Sequence, residues 1–313
     1  MGTDLKRFRI LTAVAFAVLC NAPAAFAVDA YINPKATDMI EWLPATNSDY
    51  RILYDVNPST FGDLRLPKTI KPDPKGYPVL VFLHGGGWTS DWTIGHTEQL
   101  VEALSNEGIA TWSIEYRRLG NVGGGYPGTF MDVAKGLDSL RKLASKYPLD
   151  LNRVIVAGHS SGGHLALWLA GRRNLPKTSR LYVPDPLPIK GVVALAAVAD
   201  LEGALTVGDR KDTLQLLNVS DANAAAPLWA ETNPARLLPF GVPQVLIVGT
   251  KDGPWRVTTT KNYAQAATDA GDKVQLIIPE GANHFDVVHA HGPAYPLISG
   301  AVRTMLGLQA SPN

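Results

Sequence analysis

Two hydrophobic periods alternate along most of the chain. Residues 79–83, Val-Leu-Val-Phe-Leu, form an unbroken apolar run of the length expected for a strand buried on both faces. Residues 96–107 space their apolar positions as a helix does, and 109–114 return to a strand-like run. Over 130–147, Val133, Leu137, Leu140 and Leu143 fall along one helical face. A strand over 153–157, a helix over 164–170 and a strand over 191–198 follow. Further strands are expected over 242–248 and 274–278, with a helix over 258–270 between them. A last helix over 296–308 begins with Pro296, where a missing N–H costs nothing.

Strand–helix alternation over this length predicts an α/β domain spanning 50–309, with a mostly parallel sheet and helices on both faces. Residues 28–49 read as an irregular lead-in, 50–66 as one or two short strands, and the Pro- and Lys-rich 67–78 as a surface connection. Residues 201–240 break the rhythm. They are mixed in character and lie between two core strands, so a lid or cap inserted above the sheet is expected there.

At 313 residues the chain is long enough for one large core, and its 46% apolar content excludes a disordered protein. The formal net charge is +1 without a long single-sign run, which gives no footprint for a nucleic-acid partner. Residues 1–27 have the pattern of a signal peptide. Lys6, Arg7 and Arg9 precede an apolar core from Ile10 to Leu19, and Ala25-Phe26-Ala27 offers a small-x-small cleavage site. The apolar part is short for a transmembrane helix, so no stable membrane association is expected after cleavage. Cleavage removes three basic residues and Asp4, taking the charge from +1 to −1. It also removes Cys20, the single cysteine, so the expected product is exported to a periplasm or beyond without disulfides or thiol chemistry.

Gly158-His159-Ser160-Ser161-Gly162 fits the G-x-S-x-G elbow, between the strand over 153–157 and the helix over 164–170. A sharp strand-to-helix turn exposes a serine hydroxyl, and glycines permit the close backbone approach it needs. A serine nucleophile needs a base, and the base needs an acid to fix its tautomer. His284, after the last strand, and Asp252, after the preceding one, supply them in the order Ser, Asp, His. Asp200 is the runner-up acid, and Asp252-Gly253 could also be a plain turn. A His284, His289, His291 metal cluster lacks a matching carboxylate set, so no metal and no cofactor are expected. His84-Gly85-Gly86-Gly87-Trp88 follows the strand over 79–83, where an oxyanion loop would lie. Gly86, Gly87 and Ser161 are the candidate amide donors, with His84 pinning the loop. Trp88, Trp92, Tyr126, Trp255 and Phe285 are candidates to line a substrate pocket, or equally to pack the core.

These motifs, together with Glu115-Tyr116-Arg117-Arg118, the run 126–133 and Asn283-His284-Phe285-Asp286, resemble the α/β-hydrolase esterases of the hormone-sensitive-lipase-like and arylformamidase-like branch. The resemblance covers roughly residues 50–308. It implies hydrolysis of small-molecule carboxylic esters or amides through an acyl-serine, with Ser160 as nucleophile, His284 as base and Asp252 as its orienter. Glu115-Tyr116-Arg117-Arg118 stands where the lipase-like branch has Asp-Tyr-Arg-Leu, and Gly123-Gly124-Gly125-Tyr126-Pro127 departs from its Ala-Pro-Glu continuation. Both favour the arylformamidase-like and carbohydrate-esterase-like relatives. An exported serine carboxylesterase is therefore the leading expectation. Amide hydrolysis of an arylformamidase-like or peptidase-like kind is the alternative, followed by a catalytically silent binding protein.

Overall fold

The computed structural model describes residues 46–309. The leader expected over 1–27 and most of the lead-in lie outside the described residues. Eight strands form: β1 (Tyr50–Leu53), β2 (Phe61–Arg65), β3 (Tyr77–Leu83), β4 (Ala110–Ile114), β5 (Leu149–His159), β6 (Val192–Leu195), β7 (Gln244–Ile247) and β8 (Val274–Ile277). They make one sheet in the order β1-β2-β4-β3-β5-β6-β7-β8. From β4 to β8 all neighbours are parallel, while β2 runs antiparallel to both β1 and β4. This is the mostly parallel α/β sheet expected from the alternation, in the α/β-hydrolase arrangement that the resemblance implies.

The apolar run of β3 explains why the sheet is covered on both sides. Successive side chains of a strand point to opposite faces. Val79, Val81 and Leu83 join a core with Phe130 of α2 (Gly128–Asp138), Leu165 and Trp168 of α4 (Ser161–Gly171) and Tyr263 of α9 (Pro254–Asp269). Leu80 and Phe82 face the other way, onto Leu100 and Leu104 of α1 (Glu98–Asn106) and Ile298 and Val302 of α10 (Tyr295–Met305). Each such fully buried side chain contributes roughly 1.5–3 kcal/mol relative to exposure.

The elements match the sequence pattern with local shifts. β5 begins at Leu149, earlier than the expected 153, because Tyr77 at the start of β3 pairs with it there. The helix expected over 130–147 starts at Gly128 and divides at Ser139, whose hydroxyl donates to the Gly136 carbonyl, before the short α3 (Leu140–Leu143). Between β6 and β7 lie α5 (Leu201–Gly208), α6 (Asp212–Leu216), α7 (Ala222–Ala225) and α8 (Trp229–Thr232). The α8 end of this segment is fixed to the core: Trp168 Nε1 donates to the Glu231 carbonyl at 2.8 Å, and His164 Nε2 to that of Thr232 at 3.0 Å.

Removing a side chain from the middle of β3 separates burial from mere hydrophobicity. Leu80→Ala is expected to lower the unfolding free energy by about 2–5 kcal/mol in urea titration, with an unchanged slope. Val56→Ala, at a side chain 95% exposed, is expected to change it by less than about 0.5 kcal/mol.

Candidate active site

Ser160 stands between β5 and α4 with φ 54° and ψ −118°, outside the regions an L-residue ordinarily occupies. Its amide donates to the Leu195 carbonyl at 2.8 Å, and its carbonyl accepts from the amides of His164 and Val198 at 3.1 and 3.2 Å. These bonds hold a conformation that costs roughly 1–3 kcal/mol. The flanking glycines have steric reasons. A Cβ on Gly158 would lie 2.2 Å from the Gly162 carbonyl oxygen, and one on Gly162 would lie 2.2 Å from the carbonyl oxygens of Leu83 and His84. Side chains at either position would push strand, helix and oxyanion loop apart.

β5 and β8 are three strand intervals apart, about 14 Å at ~4.8 Å each, so His284 has to be carried back toward Ser160 by its loop. Asn283 Oδ1 accepts from the amides of Phe285 and Asp286, and Asp286 Oδ2 accepts from that of Asn283. His159 Nε2 donates to the His284 carbonyl at 2.9 Å. The loop also meets the turn that carries Asp252. Lys251 donates its amide to the Ala282 carbonyl at 2.9 Å, and a Cβ on Gly249 would strike that same oxygen.

The result is a continuous line of hydrogen bonds. His284 Nδ1 donates to Asp252 Oδ2 at 2.8 Å, and Nε2 faces Ser160 Oγ at 3.1 Å. The other oxygen of Asp252 accepts from the Gly253 amide at 2.7 Å and from Arg256 Nε at 3.2 Å. Burial would raise the Asp252 carboxyl, but the His284 hydrogen bond, with Arg256 and the Gly253 amide, brings it below its ordinary value. Burial lowers His284 below 6.5 against the opposing hydrogen bond to Asp252. The imidazole is therefore neutral at pH 7, with its Nε2 lone pair directed at the serine. Asp200 has a different task. It caps α5, accepting from the Glu202 amide at 3.1 Å and from Asn233 Nδ2 at 2.7 Å.

The loop after β3 lies beside the serine. Gly86 and Gly87 have φ of 109° and 62°, which glycine adopts freely, and a Cβ on Gly86 would collide with Trp92 at 2.3 Å. Neither amide enters a backbone hydrogen bond among the described residues. Ser161 begins α4, so its amide is one of the unsatisfied donors of a helix N-terminus. Gly86, Gly87 and Ser161 share the lining of one cavity with Ser160. Nearby, burial followed by the neighbouring His84 pushes His96 down to about 3.

A cavity of about 260 Å³ opens over these groups, lined by Gly86, Gly87, Trp88, Trp92, Ser160, Ser161, His284 and Phe285, with Arg210 and Asp212 from the α5–α6 connection. The rings of Trp92 and Phe285 stack at 6.0 Å and 17°. Of the candidate aromatics, Trp88, Trp92 and Phe285 border this cavity, Trp88 while also packed in the core at 1% exposure, and Tyr126 and Trp255 lie outside the lining. Tyr126 instead directs its hydroxyl to Glu231 of α8, and Trp255 carries the guanidinium groups of Arg210 and Arg256 on its ring. Arg210, Asp212 and Arg256 were missed from sequence. Only Arg256 left a signal, an acid–base pair at i, i+4 with Asp252. Two larger grooves, of about 400 and 440 Å³, flank β1 and β8 and touch no residue of the Ser160 line.

Comparison with known proteins agrees with this architecture. The BD-FAE family model matches residues 63–265. The probable isoprenylcysteine alpha-carbonyl methylesterase of Oryza sativa subsp. japonica is 25% identical over 250 residues, covering 75% of this chain and 58% of its own length. Esterase LipC of Mycobacterium tuberculosis is 24% identical over 245 residues, covering 76% and 60%. The chain thus spans about 60% of the length of these curated relatives. Among solved structures, esterase B from Lactobacillus rhamnosis superposes with a TM-score of 0.68 at 20% identity, covering 82% of this chain and 83% of that one. A truncated carbohydrate esterase from gut microbiota gives 0.72 at 17% identity, covering 85% and 100%. At such identities the structural likeness establishes the fold.

The two kinds of glycine in the site should respond differently to a methyl group. Gly162→Ala is expected to lower the unfolding free energy by about 3 kcal/mol or more, because both oxygens it meets belong to backbone. Gly87→Ala meets nothing within 4 Å and bears only the left-handed penalty of about 1–2 kcal/mol. Thermal melts of the two variants beside the parent check the ranking.

Proposed function

The chain belongs to the BD-FAE family and has the α/β-hydrolase fold, and on that premise we propose that it hydrolyses carboxylic esters through an acyl-serine intermediate. The observation that carries this reading is the line Asp252–His284–Ser160, at 2.8 and 3.1 Å, ending on a strained elbow whose serine lines the cavity. Ser160 Oγ attacks the ester carbonyl while His284 Nε2 takes its proton. Asp252 holds Nδ1–H and stabilises the imidazolium that forms. The former carbonyl oxygen becomes an oxyanion, received by the amides of Gly86, Gly87 and Ser161. Collapse of the intermediate expels the alkoxide, which takes the proton back from His284. A water then repeats the sequence on the acyl-serine, releasing the acid and restoring the hydroxyl.

The cavity supports small to medium acyl groups. At about 260 Å³ it lies just below the range of pockets for drug-sized ligands, and Trp92 and Phe285 give it an apolar wall. Arg210 and Asp212, bonded to each other side by side, add one polar ion pair to the lining, a surface suited to a hydroxylated alcohol such as a sugar. A carbohydrate esterase among the structures of the same fold accords with acyl groups carried on carbohydrate.

A fluorophosphonate probe is expected to label the protein and to fail on Ser160→Ala; labelling that survives that change would remove the mechanism. Asp252→Asn is expected to lower kcat for p-nitrophenyl acetate by about 10³–10⁴-fold, as loss of the orienting acid does in serine hydrolases generally. Asp200→Asn is expected to stay within a few-fold of the parent, and the reverse result would make Asp200 the acid.

The pH profile follows from the sign of the His284 shift. The base works only when neutral, so kcat/KM should rise with pH through a single acid limb whose midpoint lies below the ordinary histidine value of 6.5. A midpoint above 6.5 in the free enzyme would contradict the assignment.

A further inference from the structure

His84 begins the oxyanion loop, and its ring is fully buried. Both ring nitrogens face acceptors. Nδ1 lies 2.7 Å from the Gly85 carbonyl oxygen, and Nε2 lies 2.9 Å from Glu115 Oε1. Neither a carbonyl nor a carboxylate can donate, so each contact is a hydrogen bond only if that nitrogen carries a proton. A neutral imidazole has one proton for the two positions, whereas an imidazolium has both.

The groups around His84 fit that charge. Glu115, 2% exposed, also pairs ionically with Arg118 Nη1 at 2.8 Å and accepts from the amides of Tyr116 and Ile94 at 3.1 and 3.2 Å. Burial would raise this carboxyl, yet His84 and Arg118 beside it, with the Tyr116 amide, bring it below its ordinary value. The Tyr116 ring stacks on His84 at 4.5 Å and 15°, and its hydroxyl donates to the His84 carbonyl at 2.8 Å. His96 approaches edge-on at 6.0 Å and is neutral, so it adds no second cation to the face. Arg118, 5% exposed, reaches on to the Trp92 carbonyl. The Glu115 carboxylate therefore lies between the His84 ring and the Arg118 guanidinium.

We propose that His84 is held as a buried imidazolium between Gly85 and Glu115, and that this cation holds the Gly86 and Gly87 amides and favours the oxyanion formed beside them. His84 and Glu115 are positioning residues: they touch the loop that touches the substrate. Among the described residues Glu115 is the one carboxylate paired with His84 and Arg118, so the cluster carries a net positive charge that an oxyanion at the loop would offset. The inference rests on the ester-hydrolase reading of Ser160 for its catalytic part, while the charge on His84 stands on the geometry alone.

Selective ¹⁵N-histidine labelling tests the charge directly. Two-dimensional ¹H–¹⁵N spectra of the parent protein at pH 7 are expected to show both His84 nitrogens bearing protons. A His84 ring with one unprotonated nitrogen at pH 7 would overturn the proposal, whatever the enzyme hydrolyses. The catalytic part is read from Glu115→Gln, which keeps the shape and removes the charge. It is expected to lower kcat by about 10- to 100-fold with little change in KM, less than loss of a direct oxyanion donor. Binding of a trifluoromethyl ketone, which forms the oxyanion adduct, should weaken by the same factor. Glu115→Asp is expected to recover most of both. An unchanged kcat and ketone affinity in Glu115→Gln would overturn the catalytic part. Should that variant not fold, His84→Gln, which removes the other charge of the pair, decides it: a loss in kcat and ketone affinity of about 10- to 100-fold supports the proposal, and values equal to the parent's overturn it. Fluorophosphonate labelling of Ser160 in the same samples separates a failure here from a failure of the ester-hydrolase reading.

Discussion

Ser160 holds φ 54° and ψ −118°, a backbone state that an L-residue keeps only where its surroundings impose it. Much of the site's design imposes it. Bonds from Ser160 to Leu195, His164 and Val198 fix the peptide units on either side. Gly158 and Gly162 let β5, α4 and the end of β3 approach to distances that a methyl group forbids. That approach brings Ser161, Gly86 and Gly87 into the lining of one cavity with Ser160. The strain at Ser160 and the closeness of the glycine loop after β3 therefore share one packing arrangement.

The acid and the base are arranged by a second device, the joining of two loops. Asp252 and His284 come from the ends of β7 and β8, and Lys251–Ala282 and the flat Gly249 hold those ends together. Arg256 and the Gly253 amide occupy one carboxylate oxygen, so the other is left for the imidazole. Burial weakens the proton affinity of His284 and the carboxylate strengthens it, with burial the larger effect. A neutral base aimed at the serine is the outcome of that competition.

Much of this was legible in the sequence because it rests on local rules. The apolar run of β3, the glycines around Ser160 and the order of Ser160, Asp252 and His284 each carry their reason in a few adjacent residues. The residues that escaped, or were misplaced, depend on contacts distant in the chain. Tyr126 looked like a pocket aromatic, but its hydroxyl is taken by Glu231, more than a hundred residues away. Trp255 follows Asp252 closely in sequence, yet its ring serves as a platform for Arg210 and Arg256. Glu115 was visible only as part of a motif. Its place among His84, Arg118 and the amide of Ile94 is set by the pairing of β3 with β4.

The central claim is a covalent one: the acyl group of an ester passes through Ser160 Oγ. Acid quenching during turnover of p-nitrophenyl acetate, followed by intact mass measurement and peptide mapping, observes that bond. The account predicts a single acetyl adduct on Ser160, absent after the substrate is exhausted and enriched when deacylation is slowed. Steady turnover with no adduct, or with the adduct on any other residue, would contradict it.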